Sequence, residues 1–340
     1  MTNKITIYSI NLQLFATQTT LLDGLSPEMK TFYDMTLIDV AGPELVHEQF
    51  GQKRPIPKNG GKTIEFRQFS PLEKALTPIT EGVTPSGNSL TVTAKTATVS
   101  QYGDFITQSD VLELTSLDNT ILEATKLLGR QAGLTLDTVV RNVLQSGTNV
   151  TYCSKISTTG AETAVTSRAN LDATAQLTVD TVMQVVAKLR AQNAPTINGK
   201  YVAIIHPYVA YDLMRDPEWT DAHKYTTSEN LYEGEIGEIA GVRFVETSEA
   251  KIYSGDGCPS GLAVFATLFI ADGAYGVTEV EGGGLQTIVK QKGSAGTADP
   301  LDQRSSVGWK GLKVAEILVD NYLVRVESCS KRFSATATSN

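Results

Sequence analysis

The sequence predicts an α+β fold, and three observations lead there. Residues 62–70 and 89–100 alternate apolar and polar side chains, the period of strands. Residues 110–146 carry apolar side chains at three- and four-residue spacing, the period of a helix. The remainder mixes further strands and helices, with no strict βαβ alternation and no internal repeat of roughly 20–50 residues.

Taken in order, residues 1–55 read as an arm with short helical pieces. Ser26-Pro27-Glu28 is a helix start: a hydroxyl cap, proline at the first helical position, then an acid in the first turn. Leu37, Val40, Leu45 and Val46 share an apolar face that Gly42-Pro43 interrupts, which predicts two helices rather than one. In residues 62–70, Ile64 and Phe66 face one way and Thr63, Glu65 and Arg67 the other. Leu90, Val92 and Ala94 alternate with Thr91, Thr93 and Lys95. Between these strands lies a stretch rich in proline and glycine, so the pair makes a long, thin hairpin with an irregular tip. A two-stranded ribbon is marginal alone in water. This one must fold back on its own domain or lie across a neighbouring copy, and we favour the neighbour.

In the long helical segment, Asp110 with Glu113 resembles a capping box, Asp118 starts a second piece, and Gly147 is the stop. Asp137 and Arg141 form an i, i+4 ion pair, and Gly129 and Gly133 mark close packing. Residues 148–177 read as a loop-heavy insertion. A helix follows at 179–192, a buried strand at 201–205, and another helix opening at Pro207. Further strands are expected at 241–246, 262–270, 275–280, 285–290, 311–319 and 322–327.

Composition narrows the function. The 340 residues suffice for one large domain or two, and 41% hydrophobic residues exclude a disordered chain. The net charge is −8 with no basic run, whereas nucleic-acid affinity comes from Lys and Arg neutralising phosphates. Specific binding to DNA is therefore not expected. The three cysteines are isolated and form no CxxC pair, so neither a zinc site nor a disulfide framework is indicated. Residues Met1–Ala16 contain no uninterrupted apolar h-region, and no run of 18 apolar residues occurs, so no membrane partner is expected.

No catalytic, cofactor-binding or metal-binding constellation emerges. His47 lies in Glu44-Leu-Val-His-Glu48; the HExxH spacing is missing, and a solvated helix face is the expected setting. His206 before Pro207 reads as a strand-end or helix-capping residue, since no GxSxG nucleophile elbow exists. Glu281–Gly284, Gly255–Pro259 and Gly234–Gly241 lack the spacing of phosphate-binding loops. Asp216, Glu218 and Asp221 read as a polar surface loop.

Several segments, in order, resemble one family. They are Thr77–Pro85, Gln101-Tyr-Gly103, Tyr201–Pro207 with Asp212-Leu213, Gly234–Gly237 with Gly241–Phe244, Asp299–Gln303, and Val307–Lys310. Together they resemble the major capsid proteins of tailed bacteriophages, in the coliphage N-four-like branch of the Hong Kong 97-type fold, across about residues 25–330. Asn11–Ala16 also looks like N-termini of structural proteins from phages of Gram-positive bacteria.

The resemblance implies a division of the chain. Residues 1–59 would be an N-terminal arm, 60–108 the extended hairpin loop, and 109–177 the peripheral domain with its spine helix. Residues 178–298 would be the axial domain, and 299–340 the closing strands of the peripheral domain with a C-terminal tail. It implies a non-enzymatic shell subunit of the virion, assembled in the host bacterial cytoplasm from copies of itself as hexamers and pentamers. Its partners would be separate scaffolding, portal and decoration proteins, since about 25 residues before the matched region are too few for a fused scaffold. The shell would enclose DNA without binding it specifically. Some relatives join Lys to Asn between subunits, but nothing near Lys74, Lys95 or Asn321 marks an activated lysine, so no cross-link is expected. Arg67, Glu81, Trp309 and Lys310 are the candidate interface residues; the bland alternative makes Trp309 core and Arg67 a solvated strand face. The competing readings are a cellular nanocompartment shell, a tail or decoration protein, and a hydrolase with dispersed residues.

Overall fold

The computed structural model describes residues 35–340, apart from 58, 60, 70–71, 73, 80, 85–86, 117–119, 158–159, 224–236, 279–283 and 295–298. The expected helix start at Ser26, the second start at Asp118, and parts of the glycine-rich stretches at 234–241 and 281–284 lie outside these residues.

Residues 35–41 are helical (α1) and run into a single 3-10 turn, Gly42–Glu44. Pro43 is the second residue of that turn, which ends the α-helix without starting a second one. The chain then forms strands β1 (Gln52–Lys53), β2 (Thr63–Phe69), β3 (Val92–Thr98) and β4 (Ser100–Ser109). Helices α2 (Asp110–Thr115) and α3 (Thr120–Leu144) follow, then β5 (Val150–Tyr152), β6 (Lys155–Ile156) and β7 (Glu162–Thr163). Next come α4 (Val179–Ala191), β8 (Tyr201–Ile205), α5 (Pro207–Met214) and α6 (Pro217–His223). The chain continues with β9 (Glu238–Ile239), β10 (Val242–Glu246), β11 (Ile252–Tyr253), β12 (Val264–Ile270) and β13 (Tyr275–Thr278). It closes with β14 (Gln286–Lys290), β15 (Arg304–Ile317) and β16 (Leu323–Ser328).

Two sheets organise these elements. The first has the order β1-β13-β15-β14, with β4 lying along the other side of β15. The second has the order β5-β16-β12-β8-β10-β9, with β11 paired to β12. The last two strands of the chain therefore belong to different sheets. The 14-residue β15 begins seven residues before the expected strand at 311–319, because Arg304–Lys313 has a partner in β4.

Helix α3 sits between the sheets and uses several of its faces. Leu128, Ala132 and Leu136, spaced four apart, pack on Val307 and Trp309 of β15. Val140 and Leu144 pack on Ile204, Leu268 and Ile270 of the second sheet. Alternation sends the neighbours Ala203, Ile205 and Phe269 to the opposite side, with the residues Val182, Val186 and Leu189 of α4. Gly129 and Gly133 form a notch for α1. A β-carbon on Gly129 would lie 2.9 Å from the Leu37 carbonyl oxygen, and one on Gly133 would lie 2.6 Å from that of Ala41.

Local capping departs from expectation in one place. The hydroxyl that caps α2 is Ser109, whose Oγ accepts from Leu112 N–H at 3.3 Å, one residue before the expected Asp110. Asp110 instead accepts from the adjacent Val111 N–H. His206 caps α5, accepting from Tyr208 N–H at 3.1 Å, as the sequence indicated.

His47 requires a correction. It is fully buried rather than on a solvated helix face. Its Nδ1 lies 2.6 Å from Asp137 Oδ2, and its backbone N–H donates to Asp137 Oδ1 at 2.7 Å. The Tyr275 hydroxyl donates to the His47 carbonyl. Next to it, Lys313 Nζ meets Glu48 at 2.7 Å, both groups buried. The expected Asp137–Arg141 pair yields to longer-range partners: Asp137 takes His47, and Arg141 donates to the Glu249 carbonyl at 2.7 Å. Residues 35–53 are thus fastened to their own chain.

Candidate subunit interface

Two surfaces stand out, the hairpin and the outer face of the first sheet. Strands β2 and β3 pair in antiparallel register from Thr63 opposite Thr98 to Phe69 opposite Val92. At the root, Phe66 lies on Gly276, where a β-carbon would come 2.5 Å from the ring. Lys95, directly opposite Phe66, donates to the Ile317 carbonyl at 2.8 Å. These contacts seat the root against the body.

The tip is different. Leu76, Ile79 and Val83 are 82%, 76% and 61% exposed, and Leu72 and Leu90 are exposed as well. Isolated exposed apolar residues are ordinary, but a run of them on one projecting element marks a contact surface.

The outer sheet face offers a groove of about 360 Å³. Its floor is Gly308, flanked across the sheet by Phe105 of β4 and Ile288 of β14. A β-carbon on Gly308 would meet Phe105 Cβ at 2.7 Å, so only glycine leaves this depression open. Phe105 is 67% exposed. Asp104 borders the groove, and Gln131 Nε2 donates to it at 2.7 Å. That bond, together with the Phe105 N–H, holds the Asp104 carboxyl below its ordinary range.

The four sequence-selected residues fall in distinct settings. Arg67 is exposed on the hairpin, with Nε donating to Glu65 Oε1 at 2.8 Å. Glu81 is exposed at the tip. Trp309 is 3% exposed and packs in the core under α3, with Nε1 donating to Gln131 at 3.3 Å. Strand alternation turns the adjacent Lys310 to the outer face, where it stands opposite Gly103 and Gln286. Sequence reading passed over Phe105 and Ile288. The available signal was glycine at 103 and 308 in otherwise β-forming segments, which indicates close approach.

Chemistry is sparse elsewhere. Among the described residues, no group of three His, Cys, Asp or Glu side chains is placed to hold a metal ion. Asp216 serves structure: its carboxylate accepts from Val179 N–H and Glu218 N–H. Burial pushes the Cys153 and Cys329 thiols up to about 12, far from a reactive thiolate. No helix among the described residues is long and apolar enough to cross a membrane.

This fold is that of viral shell subunits. The capsid of Ralstonia phage GP4 superposes with a TM-score of 0.66 at 14% identity, over 84% of this chain and 88% of that one. The capsid of cyanophage P-SCSP1u superposes with a TM-score of 0.63 at 13% identity, over 94% of each chain. A virus-like particle from Pyrococcus furiosus gives 0.50 at 12% identity, over 88% of this chain and 99% of that one. No curated protein sequence matches. The family model for phage capsid proteins matches residues 58–323, and the chain belongs to that family. It is a major capsid protein with the α+β Hong Kong 97-type fold, a structural component of the virion shell and not an enzyme. Family membership decides against the nanocompartment and hydrolase readings.

Proposed function

We propose that copies of this chain form hexamers and pentamers that close into an icosahedral head around the double-stranded genome of a tailed phage. Heterologous contacts that close into rings generate such capsomers. In this reading residues 60–108 are an extended loop laid across the adjacent copy. Residues 109–177 and 299–340 belong to a peripheral domain, and 178–298 to an axial domain at the five- and six-fold positions. Arg67, Glu81 and Lys310 contact neighbours, and Trp309 holds the strand that presents Lys310. Assembly takes place in the host cytoplasm with separate scaffolding, portal and decoration proteins. The net charge of −8 suits a container that encloses DNA without gripping it. The segments that resemble the coliphage N-four-like branch support placement there.

The observation that carries this reading is the apolar hairpin tip. Leu76, Ile79 and Val83 project from a ribbon with no core of its own, and a second copy would bury them. Many such weak contacts act together in a closed shell. The test is a variant carrying Leu76→Ser, Ile79→Ser and Val83→Ser. Electron microscopy is expected to show soluble subunits with few or no shells, while circular dichroism matches the parent. Shells at parental yield would refute the role given to the hairpin.

A further inference from the structure

We propose that the cleft at the root of the hairpin receives an acidic side chain from a second copy of this chain. The inference rests on the reading of the protein as a self-assembling shell subunit, and adds a specific electrostatic contact to it.

The cleft has a volume of about 100 Å³ and is lined by Gln52, Arg54, Phe66, Arg67, Lys95 and Val319, among others. That is room for the end of one side chain, not for a helix or strand. Four parts of the chain meet here: β1 with the segment after it, the paired strands β2 and β3, the turn before β13, and the turn after β15. Three of the lining residues are cations. Glu65 answers Arg67. Among the described residues, neither Arg54 nor Lys95 has an ion-pair partner. The recess therefore holds unmatched positive charge in a chain whose net charge is −8.

The backbone at Arg54 and the ammonium of Lys95 are anchored. Arg54 N–H donates to the Val277 carbonyl at 3.1 Å, and its guanidinium carbon lies 6.0 Å from the Phe66 ring centroid. Phe66 is seated on Gly276. Lys95 spends one N–H on the Ile317 carbonyl and retains two further donors. Arg54 and Lys95 line one cleft, and a guanidinium and an ammonium there suit a carboxylate, which can accept from both.

Charge complementarity selects the occupant. Copies of an acidic chain repel one another when packed into a shell, and a cationic recess turns one such approach into attraction and sets its register. The cleft also lies at the base of the element proposed to cross the neighbour, where acidic surface of another copy comes within reach.

The experiment uses purified shells and unassembled subunits of the full chain. A zero-length carbodiimide condenses Lys95 Nζ with any carboxylate in contact with it, forming an amide while the reagent takes up the elements of water and leaves as a urea. Treated shells are expected to yield a dimer on a denaturing gel, with a peptide joining Lys95 to an Asp or Glu; free subunits yield none. A variant with Arg54→Gln and Lys95→Gln is expected to raise the protein concentration needed for shells by at least about five-fold, the weight of one partly shielded ion pair. Shells whose dimers lack Lys95, or in which Lys95 couples only within its own chain, overturn the proposal and leave the assembly reading standing. Absence of shells from the parent protein sinks the assembly reading, and this inference with it. Peptide mapping of the parent chain decides the matter even if the double variant fails to fold.

Discussion

His47 and Asp137 stand 90 residues apart in the chain and meet through two contacts, a ring nitrogen to Oδ2 at 2.6 Å and a backbone N–H to Oδ1 at 2.7 Å. Both residues are fully buried. The carboxylate therefore fixes the path of residues 45–50 as well as one side chain. Removing the carboxyl group leaves two buried groups without their partner, the His47 ring nitrogen and the backbone N–H, at about 1–3 kcal/mol each. Asp137→Ala is expected to lower the unfolding free energy of the free subunit by about 3 kcal/mol in a urea titration. Asp137→Asn keeps an acceptor for the backbone N–H and is expected to lose less.

The glycine notch gives a second expectation. Alanine normally stabilises a helix relative to glycine by about 0.8–1 kcal/mol. At Gly133 the new methyl group would stand 2.6 Å from the Ala41 carbonyl oxygen, a backbone atom, so α1 must shift. Gly133→Ala is expected to lower the melting temperature and to speed proteolysis within residues 35–53. Gly87 on the hairpin has nothing within 4 Å, and Gly87→Ala is expected to leave both unchanged.

Adjacent residues on β15 should separate stability from assembly. Trp309 fills the core beneath α3, and Trp309→Ala is expected to cost about 3–5 kcal/mol in subunit stability. Lys310 faces outward, and Lys310→Ala is expected to change stability by no more than about 0.5 kcal/mol. Urea titration of free subunits measures both. A reduced shell yield for Lys310→Ala alone would support its place at the interface.

His206 sets a pH dependence. Burial lowers its pKa from 6.5 to about 4, so the unfolded chain takes up the proton first. The stabilising effect of keeping it neutral is present in full above pH 6.5 and is lost as the pH falls towards 4. The loss reaches about 3 kcal/mol at most. His206→Asn retains a capping acceptor without the titration, and its urea midpoint is expected to decline less between these pH values.

Where local patterning dominates, the fold was legible. The alternation of Ile64 and Phe66 with Glu65 and Arg67 predicted β2, and the spacing of Leu128, Ala132 and Leu136 predicted α3. Tyr201–Ile205 emerged as a strand with its predicted bounds, since an all-apolar run ended by Pro207 has few other solutions. Strand β4 was missed as a separate element. Its side chains are mostly exposed on both faces, so no hydrophobic period betrays it, and only the ladder to β15 makes it a strand. His47 was misplaced for a related reason. A polar residue beside Glu44 and Glu48 looks solvated until Asp137 and Lys313 arrive from distant parts of the chain. The outer-face groove depends on three strands lining up Phe105, Gly308 and Ile288, which no single segment encodes.

Strands β3 and β4 are separated by Val99 alone, whose N–H is held by the Lys62 carbonyl at 2.9 Å. There is no slack between the hairpin and the first sheet. A load applied at the tip travels along taut backbone into the ten-residue ladder with β15, and from there to the helix lying on it. The hairpin is in this sense a lever with its fulcrum at Phe66 and Lys95. If a neighbouring copy sits on it, as proposed above, its position becomes a strain that the body of the subunit has to bear.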